Sequence, residues 1–286
     1  MDLSQITISS VMAQIGNHTN VPIEEDLIRH IILNKLRVIR QKYKNYGDLV
    51  IACDDKNNWR RKVFPYYKAN RKKAREQSEF DWNSIFESLN KIRDEIKENF
   101  PYVVIQIETS EADDIIGSLV YKHGVELNND SAEKIVIISG DKDFVQLQRF
   151  TNVEQYDPVR NKQITHPDPV AALKEHIFRG DTGDGVPNVL SGDNFLADGI
   201  RQKRVTEKKI AEWILQDPET FDDDLKRNYK RNEQLIDLGK TPRVIFDTAI
   251  DQYEKQKKCC DAKRRKMFNY FIRHKLKNLM ENIGEF

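Results

Sequence analysis

Residues 102–144 read YVVIQIETSEADDIIGSLVYKHGVELNNDSAEKIVIISGDKDF. Two short β-branched runs, Val103–Ile107 and Ile135–Ile138, are bounded by turn residues and read as buried strands. Between them Glu111–His123 reads as a helix. Each run ends in carboxylates: Glu111, Asp113 and Asp114 follow the first, Asp141 and Asp143 the second. In an open sheet of alternating strands and helices, the functional crevice lies beyond the carboxyl ends of the strands. The stretch therefore delivers these acids to one rim. Clustered carboxylates repel one another, so cations are needed to hold them together. An all-oxygen donor set suits hard divalent ions, Mg²⁺ first and Mn²⁺ second.

Working outward, Asp48–Asp54 is a third short apolar run, with Asp54 and Asp55 at its tip. Ile23 to Tyr46 has helical spacing with a basic end, and Phe80–Phe100 carries one apolar stripe closed by Pro101. Val153–Tyr156 and Gln163–Thr165 read as short edge strands. This order predicts an α/β fold: a mostly parallel central sheet flanked by helices, with right-handed crossovers.

Between the third strand and the second long helix lies Trp59–Arg75, WRRKVFPYYKANRKKAR. It holds eight basic residues and no acid, with Phe64, Tyr66 and Tyr67 interleaved. A charged run is most often a solvated helix face. One-signed charge with aromatics and Pro65 instead suits a phosphate backbone carrying stackable bases. Pro167–Phe178 reads as a helix ending in RGDTGDGVPNVL. On composition that loop is turn chemistry, although it holds Asp181 and Asp184. Beyond it the chain reads as helical and charged. The expected organisation is an α/β core over 1–166, with the basic segment at about 59–80, and a helical region over 167–286 containing the 180–189 loop. Ile283 and Phe286 leave an apolar tip, a candidate docking tail.

The bulk properties exclude more than they assign. The chain has 286 residues, 33% charged and 38% hydrophobic, with a net charge of +1. That balance says nothing for or against nucleic acid. No apolar run approaches the ~20 residues of a membrane span. Cys53 and the adjacent Cys259–Cys260 support neither a disulfide framework nor a zinc site, and six scattered histidines add none. A reducing cytoplasm fits this cysteine usage.

In combination, EADD (Glu111–Asp114), SGDKD (Ser139–Asp143), GDTGDGVPNV (Gly180–Val189) and FPYYKANR (Phe64–Arg71) resemble the 5′-nuclease, or flap endonuclease, superfamily, with its PIN-like sheet, helical arch and helix–turn–helix-type loop. The resemblance covers roughly residues 1–190. It implies Asp2, Asp54, Glu111, Asp113, Asp141 and Asp143 as carboxylate metal ligands, with Asp114 as a further acid. Asp181 and Asp184 would reach back from the loop to a second metal. It implies Lys68 and Arg71 as catalytic arch cations beside Asp141 and Asp143. It also implies nucleic-acid contacts from Arg60, Arg61, Lys62, Tyr66, Lys68, Arg71 and Lys72, from Gly183 and Gly185, and from Arg201, Lys203 and Arg204. The loop would hold K⁺. In the family a full apolar strand precedes the first aspartate, whereas here only Met1 does, so the central first strand is expected to be missing: the start is assigned too late, the chain is truncated, or Asp2 hangs on a poorly held end.

Two readings follow. The first is a two-metal nuclease acting from 5′ ends on RNA–DNA hybrids, flaps and forks, with a single-strand-binding protein or sliding clamp engaging the C-terminal region. The second is a catalytically weakened fork-binding protein. A small metal-dependent phosphatase has no use for the aromatic-basic segment.

Overall fold

The computed structural model describes residues 1–15, 24–78, 80–126, 132–258 and 263–286, so the Cys259–Cys260 pair lies outside the described residues. β-Branched runs become strands here because each residue can send its side chain into one of two apolar layers. Strand β1 (Val50–Cys53) pairs in parallel with β2 (Val103–Gln106), with Val50 beside Val103. Strand β3 (Ile135–Ile138) pairs in parallel with β4 (Val153–Asp157), which pairs antiparallel with β5 (Lys162–Ile164). The expected parallel sheet is thus present in two pieces. Among the described residues, Met1 and Asp2 join them. Ala52 N donates to Met1 O at 2.9 Å, and Asp2 N donates to Ile138 O at 3.3 Å. Asp2 is buried and bridged to Ala52, which corrects the expectation that it hangs on a loose end.

Helices cover both faces. On one side α1 (Leu3–Ile15), α2 (Glu25–Lys42) and α5 (Trp82–Asn99) share a core with Ile51, Cys53, Val104 and Ile138. On the other, α6 (Ala112–His123) shares a core with the alternate residues Ala52, Val103, Ile105 and Ile137. Helix α1 begins directly after Asp2, with Leu3, Ile6 and Val11 buried. Arg29, 1% exposed, ties the first layer together. Its Nε donates to Glu95 at 3.1 Å and to the Tyr270 hydroxyl at 3.0 Å.

The basic segment folds as α3 (Trp59–Val63) and α4 (Ala69–Glu76), joined through Phe64–Lys68. Asn58 caps α3 by accepting from Arg60 N. A third core, of Phe64, Tyr67, Phe178, Val186 and Tyr229, seats this segment on α7 (Pro169–Arg179) and the loop after it. The chain continues through α8 (Glu207–Ile214), α9 (Asp223–Ile236), α10 (Arg243–Lys257), α11 (Arg264–Arg273) and α12 (Lys277–Glu281).

These last helices return to the first half of the chain. Helix α10 closes the outer edge of β2: the Gln256 side chain accepts from Val104 N and donates to Val104 O, both at 2.9 Å, as a strand would. The terminal Phe286 ring lies 5.8 Å from Phe100 and 5.2 Å from Phe271. The apolar tip read as a docking tail is therefore used by the protein's own core. We expect Phe286→Ala to lower stability by about 1–2 kcal/mol, measured as the midpoint of urea unfolding. An unchanged midpoint would show that the tip is not docked in solution.

Candidate active site

The parallel arrangement places the tips of β1, β2 and β3 on one side of the sheet. Asp54 follows β1, and its Oδ1 accepts from Ala112 N at 2.8 Å, at the start of α6. Glu111 and Asp113 stand at that same N-terminus, where the helix dipole favours negative charge. Asp141 follows β3, and its Oδ1 accepts from Asp143 N at 3.0 Å, which turns Asp143 back toward the rim. Asp2 enters between β1 and β3, its Oδ1 accepting from Gln5 N at 3.0 Å. Asp181 and Asp184 come from the loop after α7, where Asp184 N donates to Asp181 Oδ1.

These acids feel one another. Burial, then Asp54 and Asp141, push the Asp2 carboxyl up to about 7. Burial and Asp141 raise Asp113 well above the usual carboxylate range, with Asp2, Glu111 and Asp143 adding to the effect. Burial and Asp141 push Asp143 up to about 7, partly opposed by His176, with Asp181 and Asp184 adding. Six acids from four separate parts of the chain thus share one electrostatic site with Asp181 and Asp184.

The basic segment supplies the opposite charge. The Lys68 ammonium bonds Glu111 and lies 3.4 Å from Asp184. Arg71 bonds Asp184 and donates from Nε to Gly183 O at 3.3 Å. The Tyr67 hydroxyl lies 2.8 Å from both Glu111 Oε2 and Asp184 Oδ2 and donates to one at a time. Burial alone would raise Glu111, but Lys68 and Arg60 outweigh it and hold the carboxyl down to about 2. Lys68 N also donates to Asp184 O at 2.7 Å, so backbone as well as charge docks the segment on the loop.

Several expected site residues have other duties. Arg60, expected to contact nucleic acid, is 2% exposed. It lies 2.8 Å from Asp114 and 3.2 Å from Glu111, and donates to Leu235 O. Asp114, expected among the metal ligands, is fully buried. It also accepts from Trp59 Nε1, Thr241 Oγ1 and Glu111 N, so protein donors occupy both its oxygens. Gly185, expected at the nucleic-acid surface, is buried with φ +75°, and a Cβ there would lie 2.8 Å from Tyr66 O. It is glycine because the basic segment's backbone passes against it. Arg61, Lys62, Tyr66, Arg71, Gly183, Arg201, Lys203 and Arg204 are exposed. The Lys72 side chain lies outside the described ones. Arg201–Arg204 adjoins the loop, since Lys203 N donates to Ser191 Oγ and Lys203 O accepts from Asn188 Nδ2.

Three residues escaped the sequence reading. His176 lies 3.2 Å from Asp181 and 3.5 Å from Asp143, and Lys142 lies 2.9 Å from Asp181. Although burial opposes it, hydrogen bonds from His176 and Lys142 hold Asp181 below the usual range. Tyr67, one of the aromatics interleaved in the basic segment, is a buried hydrogen-bond donor. The available signal was position: His176 lies in the last turn of α7, five residues before Asp181, and Tyr67 precedes Lys68. Asp143, His176 and Asp181 each bring a donor atom within 4.8 Å of the others, and Asp143 Oδ1 is buried without a hydrogen-bond partner. That oxygen-rich set fits a divalent cation.

A sheet covered on both faces, with acidic strand tips under a basic helical segment and a helical C-terminal region, is the architecture of a 5′-nuclease. Residues 12–176 match the resolvase-like N-terminal domain of 5′-3′ exonucleases, and residues 170–286 match the C-terminal domain of T4 RNase H. The chain is 34% identical over 298 aligned positions to ribonuclease H of Enterobacteria phage T4, covering all of this chain and 94% of that protein. It is 29% identical to a 5′-3′ exonuclease of Buchnera aphidicola, covering 82% of each. The fold matches phage T5 5′-exonuclease with bound zinc, TM-score 0.58 at 17% identity, covering 89% of this chain and 97% of that one. It also matches a T5 flap endonuclease in a pseudo-enzyme-product complex with DNA and metal ions, TM-score 0.60 at 16% identity, covering 90% and 97%. The chain belongs to the 5′-3′ exonuclease family and is a nuclease.

Two outcomes are expected from the electrostatics. Asp2 and Asp143 hold protons in the fold up to about pH 7 that the unfolded chain releases near pH 3.8. Their contribution is present below pH 3.8 and is lost as pH rises through about 7. In chelator, urea midpoints should therefore fall between pH 5 and pH 8, and a flat profile would contradict the crowding described. Arg60→Ala leaves Asp114 buried and unpaired, so it should cost about 3–5 kcal/mol, read as the loss in urea-derived stability.

Proposed function

We propose that the protein is a 5′-to-3′ exonuclease and flap endonuclease that removes RNA primers from RNA–DNA hybrids or 5′ flaps at replication forks by phosphodiester hydrolysis. The observation that carries this reading is the convergence of Asp2, Asp54, Glu111, Asp113, Asp141, Asp143, Asp181 and Asp184 beneath Lys68 and Arg71. Two Mg²⁺ ions, with Mn²⁺ as a substitute, would be held by those acids and would supply a water of lowered pKa and charge for in-line displacement.

The chain's own residues do the rest. Lys68, with its ammonium against Glu111, can exchange that carboxylate for a non-bridging phosphate oxygen and offset developing charge. Arg71, more exposed, offers a second cation from the same segment. Exposed Arg61, Lys62 and Tyr66 would take the single-stranded 5′ arm. Arg201, Lys203, Arg204 and the backbone at Gly183 would take duplex phosphates without reading bases. A K⁺ ion at the 180–189 loop belongs to the same reading. The T4 relative's name, ribonuclease H, supports an RNA substrate, and the T5 flap endonuclease with DNA supports flap cutting.

A weakened fork-binding protein requires a loosely held Asp2, and the bonds that hold Asp2 weigh against it. Any contact with a single-strand-binding protein or clamp would use surface other than the docked Phe286, such as exposed Phe268 and Ile272 on α11. No helix among the described residues is long and apolar enough to cross a membrane, and a cytoplasmic site of action fits this reading.

The test uses 5′-labelled primer–template and flap substrates with Mg²⁺. Asp141→Ala combined with Asp143→Ala should lower kcat by roughly 10³-fold or more while duplex binding persists. Lys68→Ala should lower kcat by about 10²-fold. Full activity in the double variant would remove the proposal.

A further inference from the structure

The two acids that follow β3 are aimed by their main chains. Asp143 Oδ1 is buried and takes no hydrogen bond, with the His176 ring 3.5 Å away. Its backbone is gripped on both sides instead. Asp143 N donates to Asp141 Oδ1 at 3.0 Å, and Asp143 O accepts from Gln146 Nε2 at 2.8 Å. Asp141 Oδ1 is an oxygen that the proposed cations would also claim. The Gln146 amide is not, so its grip does not compete with metal. Asp141 is held in the same way: its main-chain O accepts from Gln155 Nε2 at 2.6 Å, and that amide also donates to Ser139 O at 3.1 Å.

Both glutamines are buried, and each spends its remaining bonds on a different part of the fold. Gln146 Nε2 also donates to Ile236 O at 3.1 Å, and its Oε1 accepts from Leu238 N at 2.9 Å. These are main-chain groups at and just past the end of α9. That helix is tied in turn to α7 and to the loop after it, since Asn232 Nδ2 donates to Ile177 O and Pro187 O. Gln155 lies on β4, and its Oε1 accepts from Gln148 Nε2, which donates on to Ile164 O of β5. A buried glutamine is most often a satisfied core group, and an apolar side chain of similar volume could fill either place. The packing around Gln146 is already carried by Phe144 and Leu147, both buried. What an amide adds is direction, because its bonds fix where a particular carbonyl stands.

We propose that Gln146 and Gln155 are positioning residues of the nuclease site, a role that rests on reading Asp141 and Asp143 as metal ligands. Through the main-chain oxygens of those two residues they hold the carboxylates at the spacing a divalent cation needs. Neither glutamine touches metal or substrate. Groups that orient a metal's ligands change its affinity without contacting it. Gln146 does more than Gln155, since it registers Asp143 against the end of α9 and so against the helical C-terminal region.

The experiment compares the unchanged full chain with Gln146→Met, Gln155→Met and Phe286→Ala, the last removing a ring that packs on Phe100 and Phe271 outside the site. Mn²⁺ binding is measured without nucleic acid, from the loss of the free-ion electron paramagnetic resonance signal. Urea unfolding reports stability, and a 5′-labelled flap reports kcat and KM. Each glutamine variant should weaken at least one Mn²⁺ site by roughly 10–100-fold and lower kcat at limiting Mn²⁺ by a similar factor. KM for the flap should stay unchanged, and excess Mn²⁺ should restore kcat. Phe286→Ala should lose stability and bind Mn²⁺ as the unchanged chain does. Unaltered Mn²⁺ affinity in a folded glutamine variant would overturn the proposal, and so would an equal weakening in Phe286→Ala. Failure of both glutamine variants to fold would also overturn it, by assigning the amides to the fold alone. An unchanged chain that cleaves no flap, yet binds Mn²⁺ more tightly than both glutamine variants, would sink the nuclease reading and support the positioning role.

Discussion

Repulsion among carboxylates at the tips of parallel strands is the constraint to which the rest of this structure responds. At an effective dielectric of about 20, two such charges about 4 Å apart repel by ~4 kcal/mol. The chain answers with protons and with cations brought from far along the sequence. Burial and mutual repulsion keep Asp2 and Asp143 protonated to about pH 7. Lys68 and Arg71 reach the same rim from the segment between β1 and α5. The C-terminal region matters for the same reason. Helix α7 delivers His176, and the loop beyond it delivers Asp181 and anchors the basic segment through the Lys68–Asp184 backbone bond. The α/β core and the helical C-terminal region are thus joined at the place where charge must be balanced.

The fold was largely legible because its signals are local. β3 coincides with the apolar run Ile135–Ile138, and α6 begins within a residue of Glu111 because the acids there suit a helix N-terminus. What was not legible depends on contacts distant in sequence. Nothing near Phe286 indicates that its ring meets Phe100. Residues 3–15 lack the charge asymmetry of a surface helix because the segment is buried against β1 and α2. The break in the sheet was legible as a missing strand. That two residues suffice to hold Asp2 was not, since this depends on bonds to Val50, Ala52 and Ile138 on two separate strands.

The site divides similarly. Strand-tip acids could be assigned from position, since any residue just after a parallel strand reaches the rim. Asp114 and Arg60 could not. Asp114 stands in the same EADD motif as Glu111 and Asp113, and three residues from the first of these it turns to the inner side of α6. Arg60 stands in the same basic run as Arg61 and Lys62, yet α3 sends it inward while its neighbours stay exposed. Helical phase, rather than residue type, decides which members of each motif meet the solvent.

That phase also separates two kinds of ion pair around one carboxylate. Glu111 is held by Arg60 and by Lys68 at once. Arg60 is 2% exposed and committed to Asp114 and Leu235 O as well. Releasing it would strand buried charge, a cost of several kcal/mol, so it fixes Glu111 in place. Lys68 is 15% exposed in its side chain, sits at a turn with φ 55°, and has a single flexible stem. In the proposed reaction its ammonium would exchange Glu111 for a phosphate, one anionic partner replacing another. The same acid is thus anchored from within by arginine and addressed from the solvent side by lysine. Exchanging the two cations would lose both functions, since guanidinium suits the fixed, multidentate pair and ammonium the mobile one.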